Sequence, residues 1–206
     1  EHVGCVGSDG DSLIAELGSA GISSRFVKVG VAPSGHAVIQ VDEEGRNSIV
    51  ISAGANRELD SELIQDAILR LEDTDWLLLQ NETNGIAEAV ELAARKGKKV
   101  AINIAPADER MFDYPLSKVA LIIVNELEAM ALSSKSSPQL AFDSLIKAYP
   151  EIDIVLTLGD EGVWSYRAKD SARKGMGSFK IDATDETAAG DSFIGYLMAT
   201  LVAGTD

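Results

Sequence analysis

Apolar and polar positions alternate with two different periods after residue 60. The apolar residues between positions 63 and 71 follow helical spacing, and Asp60 is the predicted cap of that helix. Residues 76–80 and 99–104 are short apolar runs, which are typical of buried strands. Because helical and strand-like segments follow one another in turn, the pattern predicts a parallel sheet covered by helices on both faces.

The same alternation continues towards the end of the chain. A short helix through Ala131 and a longer helix starting at Ser137-Pro138 are predicted, since a capping serine followed by proline is typical of a helix start. The polar segment Gly159-Asp160-Glu161-Gly162, with a glycine at each end, indicates a tight turn between strands. The further predicted strands are residues 120–124, 152–158, Val163–Arg167 and 178–181.

A different pattern precedes residue 60. Residues 37–41 and Asn47–Ser52 flank the polar stretch 42–45, which predicts an antiparallel hairpin inserted in an α/β chain. Such a hairpin can serve as a flap or an oligomer contact, or it can be an ordinary edge hairpin of the same domain. The pattern leaves both interpretations open.

Composition narrows the classes of function. The 206 residues, 46% of them hydrophobic, are typical of a soluble globular domain, and no apolar run approaches the length of a membrane span. A net charge of −15 argues against nucleic acid as a partner. The single cysteine excludes a disulfide framework and fits a reducing compartment. With only two histidines, a zinc site or a Ser-His-Asp triad is disfavoured.

Amides and carboxylates follow the predicted strands, at the edge where open α/β sheets bind ligands. Individually, each has a simpler interpretation: Glu82 as an acid at a helix start, and Asn125 with Glu128 as a capping box. Their convergence on one edge favours a binding site. The segments concerned are Asn81-Glu82-Thr83, Ala105-Pro106-Ala107, Asn125-Glu126-Leu127-Glu128 and Gly159-Asp160-Glu161-Gly162.

A run of small residues, Asp185-Glu186-Thr187-Ala188-Ala189-Gly190-Asp191, precedes an apolar helix over residues 193–202. Small residues and unpaired helix amides suit an anion, so Asp191 is either the helix cap or a base beside a transferring phosphoryl group. The chain has neither a G-x-x-x-x-G-K-[ST] loop nor a protein-kinase signature. The remaining class is a kinase that uses a helix N-terminus.

The same run resembles the signature of the ribokinase-like (PfkB) carbohydrate kinases, Asp-Thr-Thr-Gly/Ala-Ala-Gly-Asp followed by an apolar helix. Glu186 departs from it, adding negative charge where a threonine is usual. Other segments resemble that family in the same order over nearly the whole chain. They are Val3-Gly4-Cys5-Val6-Gly7-Ser8-Asp9, Asn47-Ser48-Ile49-Val50-Ile51-Ser52-Ala53, Leu79-Gln80-Asn81-Glu82, Asn103-Ile104-Ala105-Pro106-Ala107, Asn125-Glu126-Leu127-Glu128 and Thr157-Leu158-Gly159-Asp160-Glu161-Gly162-Val163-Trp164.

The resemblance implies a three-layer α/β/α sandwich with a mostly parallel central sheet and a small β lid. Residues 1–206 would form one domain, incomplete at both ends, with the lid hairpin at about 35–53. The implied activity is ATP-dependent phosphorylation of the primary hydroxyl of a sugar, D-ribose first, with another sugar or a nucleoside as the alternative substrate. A hypothesis of another class is a truncated, non-catalytic fragment that acts as an interaction module, since by this resemblance the family's N-terminal sugar-binding segment would precede Glu1.

The resemblance also implies roles for particular residues. Asp191 would be the base and would bind the sugar together with Glu82, and the amides of Ala188, Ala189 and Gly190 would form an anion hole. ATP would contact Asn125, Thr157, Leu158, Gly159, Asp160, Glu161, Gly162, Gly190 and Asp191. Glu128 would lie near Mg²⁺, directly or through water, and Asp185 and Thr187 would bind a monovalent cation, usually K⁺. The lid would pair two subunits into a homodimer, and a cytoplasmic location is expected.

Overall fold

The computed structural model describes residues 1–41, 47–73, 75–181 and 188–204. Within it the chain forms two compact units. The first comprises Glu1–Arg70 and Glu82–Leu92, and the second comprises Leu71–Asn81 and Ala93–Asp206. Each unit has its own sheets.

The first unit contains two small sheets. Strands β1 and β2 pair in parallel, and β3 and β4 pair antiparallel with Val38 opposite Val50, so the predicted hairpin is present. Asp60 caps α2 as expected, because its Oδ1 accepts a hydrogen bond from the Leu63 amide at 2.8 Å. The elements are β1 (Val3–Val6), α1 (Asp11–Ser19), β2 (Phe26–Val29), β3 (His36–Val41), β4 (Asn47–Ser52), α2 (Ser61–Leu69) and the greater part of α3 (Ile86–Arg95).

The second unit is built on a six-stranded sheet with the order β10-β9-β8-β7-β6-β5. Strands β5 to β8 are parallel, and β9 and β10 continue the sheet antiparallel. The elements are β5 (Trp76–Gln80), β6 (Lys99–Asn103), β7 (Leu121–Asn125), α4 (Glu126–Ser133), α5 (Pro138–Ala148), β8 (Asp153–Thr157), β9 (Val163–Arg167), β10 (Ala172–Met176) and α6 (Ala189–Val202).

Helices cover both faces of this sheet. Successive residues of a strand point to opposite faces. Helix α6 buries Ile194 in a core cluster that includes Val155 of β8. On the other face, the ring of Phe142 in α5 lies 5.9 Å from that of Trp164, the register partner of Leu156. A mostly parallel sheet between helical layers confirms the predicted α/β sandwich fold, whereas the single domain and the lid role remain predictions.

The prediction of a last strand at residues 178–181 is wrong. The last strand of the sheet in the described part of the chain is β10, which pairs with β9 although its sequence Ala-Arg-Lys-Gly-Met is largely polar. Phe179 and Ile181 do alternate with polar residues, but they are 85% and 78% exposed, so no core lies beside them. The position of the last strand was therefore determined by backbone hydrogen bonding to the edge strand β9, and not by the alternation of apolar residues at 178–181.

No helix in the described part of the chain has the length and hydropathy of a membrane span.

Candidate active site

Helix α6 begins with the small residues that the sequence analysis singled out. Its N-cap is Ala188, in the left-handed conformation at φ 60°, and the first helical hydrogen bond joins the Ser192 amide to the Ala188 carbonyl at 2.9 Å. The amides of Ala188, Ala189, Gly190 and Asp191 precede that bond, and amides in this position have no acceptor within their own helix. The start of α6 thus offers a group of donors to an anion.

Asp191 is not the cap of α6, so that interpretation of the sequence is wrong. The helix starts earlier than residue 193 because Ala189 and Gly190 join its first turn, which places Asp191 at the third helical position. Ala188 has no side chain that could cap the helix, and in the described part of the chain no side-chain capping bond is made there. The carboxylate of Asp191 is therefore exposed at the helix start rather than turned back onto the backbone.

Two amide side chains that the sequence analysis missed connect Asp191 to the sheet. Gln80 Nε2 donates to Asp191 Oδ1 at 3.2 Å and to Asn103 Oδ1 at 3.4 Å. Asn103 Nδ2 in turn donates to the Ile123 carbonyl at 3.2 Å. Gln80 and Asn103 end neighbouring strands as register partners. The sequence showed only a polar residue at or near the end of each predicted strand, and not the register that pairs them.

Asn125 and Glu128 form a reciprocal capping box at the start of α4. The Asn125 side chain accepts from the Glu128 amide at 2.9 Å, and the Asn125 amide donates to Glu128 Oε2 at 2.8 Å. Asn125 Nδ2 also donates to Glu128 Oε1 at 2.9 Å. Both oxygens of the carboxylate therefore have a donor in the same cap.

Glu128 is only 5% exposed. Burial raises the pKa of its carboxyl above the ordinary value for glutamate, because a charge is costly away from water, and the hydrogen bond from the Asn125 backbone offsets part of that rise. Glu128 is thus a buried acid held by one neighbour.

The turn after β8 is the tight connection that the sequence predicted. Gly159–Glu161 forms a single 3₁₀ turn, and the Leu158 amide donates to the Gly162 carbonyl at 2.8 Å. Gly162 has φ 105°, and a Cβ there would lie 2.0 Å from the Met176 carbonyl oxygen, so glycine is required. Asp160 and Glu161 are exposed on this turn.

Several predicted nucleotide contacts lie side by side. Asn125 and Thr157 are register partners at the ends of β7 and β8, and Thr157 Oγ1 donates to the Val124 carbonyl at 3.5 Å. A Cβ placed on Gly159 or Gly190 would meet no atom of the described residues within 4 Å. Polar side chains beside uncovered backbone fit a bound nucleotide.

The predicted sugar ligand Glu82 belongs to the first unit. It is exposed in the turn between β5 and α3, directly after Asn81, which is fully buried. Asn81 is held by a donor bond from its Nδ2 to the Pro106 carbonyl at 2.6 Å and by bonds from Tyr114 and Arg110. The predicted cation ligands Asp185 and Thr187, like Glu186, lie outside the described residues.

The donor set for a divalent cation is sparse. Among the residues that the structure describes, no group of three or more His, Cys, Asp or Glu side chains could hold a metal. The two oxygens of Glu128 already accept hydrogen bonds from Asn125. This fits an ion bound mainly by substrate phosphates and water, as Mg²⁺ usually is in phosphoryl-transfer sites, with Glu128 reached through water.

Comparison with known proteins places this geometry in a family. The pfkB family of carbohydrate kinases matches residues 1–206. The chain is 32% identical to the ribokinase of Haemophilus influenzae, with 97% of this chain and 67% of that protein covered. It is 31% identical to the deoxyribokinase of Salmonella typhi, with 92% and 64% covered. A crystal structure of Cryptococcus neoformans ribokinase in complex with ADP superposes with a TM-score of 0.81 at 26% identity, covering 99% of this chain and 70% of that one.

The chain therefore belongs to the pfkB family of carbohydrate kinases, as its signature run predicted. Its class is that of the sugar kinases. It spans about two thirds of the length of the curated relatives named above, at 67% and 64%.

Proposed function

We propose that the protein transfers the γ-phosphate of ATP to the primary hydroxyl of a sugar, with D-ribose as the substrate. The observation that carries the proposal is the start of α6, where an exposed carboxylate lies beside three helix amides. Its similarity to ribokinases at about 30% identity supports a pentose. The deoxyribokinase of Salmonella typhi, at 31% identity, supports 2-deoxyribose as the alternative.

In the proposed reaction, Asp191 accepts the proton of the attacking hydroxyl as its oxygen forms a bond to the γ-phosphorus. The bond between that phosphorus and the β–γ bridging oxygen breaks, and ADP leaves with the bridging oxygen. The amides of Ala188, Ala189 and Gly190 donate hydrogen bonds to the phosphoryl oxygens and stabilise the transferring group. General-base catalysis of this kind typically contributes about 10²- to 10⁴-fold to the rate.

We propose that the nucleotide lies against the ends of β7 and β8, with Glu82 as a ligand of the sugar. Asn125 and Thr157 offer polar groups there. In the turn Leu158-Gly159-Asp160-Glu161-Gly162, the amides of Gly159 and Asp160 donate to no backbone carbonyl of the described residues and are the ones offered to phosphate. Backbone donors suit this acidic chain, because they hold phosphates without lysine or arginine. The ADP complex of the Cryptococcus neoformans relative supports a nucleotide in this fold.

The proposed ions have distinct roles. When Mg²⁺ is bound with ATP, it neutralises part of the phosphate charge. Glu128 would orient water around that ion without direct contact, since its oxygens accept from Asn125. Asp185 and Thr187 remain the proposed ligands of K⁺.

The substrate is tested by measuring ADP release with ribose, 2-deoxyribose, fructose and a nucleoside. Ribose is expected to give the highest kcat/KM. A higher value for another sugar would overturn ribose but not the class, whereas no release with any of them would overturn the proposed activity. In that case, calorimetry with ribose and an ATP analogue tests the alternative of a non-catalytic interaction module, which predicts weak or absent binding of both.

The lid hairpin is the proposed dimer contact of a cytoplasmic enzyme. Val38 and Val50 are register partners on β3 and β4 and are 52% and 62% exposed, as expected of residues that a second copy covers. Sedimentation of the wild type is expected to show a dimer, and Val38→Lys with Val50→Lys a monomer. Leu13→Lys, at a residue of α1 that is 50% exposed, is the control. A monomeric wild type would refute the dimer.

A further inference from the structure

Gln80 contacts the proposed base Asp191 but has no assigned role in the proposed reaction. It ends β5, is half-buried, and joins the exposed Asp191 to the buried Asn103. All three residues belong to the second compact unit. The hydrogen-bonded series therefore runs from the sheet interior to the proposed base within one folded body.

The direction of every bond in this series is determined by its two ends. A carboxylate can only accept, so the amide nitrogen of Gln80 faces that of Asp191. The Ile123 carbonyl also only accepts, so Asn103 presents its nitrogen there and its oxygen to Gln80. Reversing either amide would place two acceptors against each other, which makes this one arrangement strongly preferred.

Among the described residues, the Asp191 carboxylate has little besides Gln80 to orient it. Ala188 provides no capping side chain, and Asp191 lies on the exposed first turn of α6. Its Oδ1 accepts from Gln80, whereas its Oδ2 accepts no hydrogen bond from the described part of the chain. One oxygen is thus held by the sheet, and the other remains for a substrate hydroxyl.

We propose that Gln80 is a positioning residue that holds Asp191 Oδ1 so that Oδ2 faces the attacking hydroxyl, with Asn103 fixing the Gln80 amide in turn. The inference rests on the proposed function, because it assigns Gln80 a role in that reaction. Misplacement of a reacting group by about 1 Å can lower the rate about 10²-fold. Loss of the orientation of the Asp191 carboxylate should therefore slow the reaction even though the carboxylate itself is retained.

The first test is the substitution Gln80→Met, which keeps the length of the side chain and removes the donor. We expect kcat to fall about 10- to 100-fold while KM for the sugar changes less than about twofold, since orientation of the base acts in the transition state. Gln80→Glu is expected to lower kcat further, because it places a second carboxylate against Asp191.

The matched control is Gln139→Met. Gln139 Nε2 donates to Asp143 Oδ2 at 3.3 Å on α5, so this variant removes the same type of glutamine–aspartate bond away from the site. Its kcat is expected to equal that of the wild type. If Gln80→Met retains the wild-type kcat, or if it loses no more than Gln139→Met, the positioning role is refuted.

A second measurement does not depend on activity. In NMR spectra, the side-chain amide resonances of Gln80 are expected to move in Asp191→Asn and to stay in place in Asp143→Asn, which changes the aspartate partner of Gln139 instead. A Gln80 amide that is unaffected by Asp191→Asn overturns the proposal. Complete lack of sugar phosphorylation by the wild type refutes the proposed function instead, and the NMR comparison then decides the Gln80–Asp191 contact alone.

Discussion

Two acids occupy the third position of a helix in the second unit, Glu128 in α4 and Asp191 in α6, and their surroundings are opposite. Glu128 is 5% exposed, and Asn125 donates to both of its oxygens. Asp191 is exposed, and Gln80 donates to one of its oxygens. The difference arises at the N-cap, because asparagine can exchange bonds with the third residue whereas Ala188 cannot.

The comparison shows how one local position can support two roles. In a reciprocal capping box, the oxygens of the acid accept hydrogen bonds within the cap, and these bonds stabilise the helix. A helix start without such a cap leaves both its amides and its acid available to a ligand. The small residues before Asp191 thus matter in two ways: they have no side chain that could cap the helix, and they let a ligand approach the backbone closely.

The largest effect on stability is expected from Glu128→Ala. It removes the acceptor of both Asn125 donors, so the free energy of unfolding should fall by about 1–3 kcal/mol. Urea unfolding measures it, with Glu126→Ala in the same first turn as the control, because Glu126 is outside the capping box. Equal losses in the two variants would show that the box contributes little.

A pH-dependent effect is expected from Glu128→Gln. Because burial raises the pKa of Glu128 in the folded chain, the folded state holds that proton more tightly than the unfolded state. The contribution of Glu128 to stability is thus full at low pH and declines as pH rises through the raised pKa. The wild type should lose stability relative to Glu128→Gln as pH rises above about 4.3, the ordinary pKa of glutamate, and through the raised pKa of the folded chain. A constant difference between the two unfolding curves would contradict this.

The smallest effect on stability is expected from Asp191→Asn. The substitution removes an exposed negative charge from the first turn of α6, where it interacts favourably with the helix dipole by about 0.3–1 kcal/mol. Thermal unfolding should therefore change little. A loss as large as that of Glu128→Ala would mean that Asp191 is a structural residue like its counterpart.

Features encoded within a single segment were predictable from the sequence, whereas the strand that was missed depends on its partner. The caps at Asp60, Asn125 and Ser137 are correct because each depends on residues within three positions. Strand β10 was missed because its pairing depends on the edge presented by β9, not on its own pattern.

The site divides in the same way. The signature run identified the start of α6 and the family, since it is contiguous. The link from Gln80 to Asp191 spans 111 positions and arises only from the register of β5 with β6 and the packing of α6 on the sheet. No local pattern encodes it.

The most direct test of the role of Asp191 is the turnover of Asp191→Asn with saturating ATP and ribose. Loss of the base should lower kcat by about 10²- to 10⁴-fold while the variant remains folded and binds nucleotide. A kcat within about twofold of the wild type would contradict the assignment of Asp191 as the base, because the smallest effect expected of a general base is about 10²-fold.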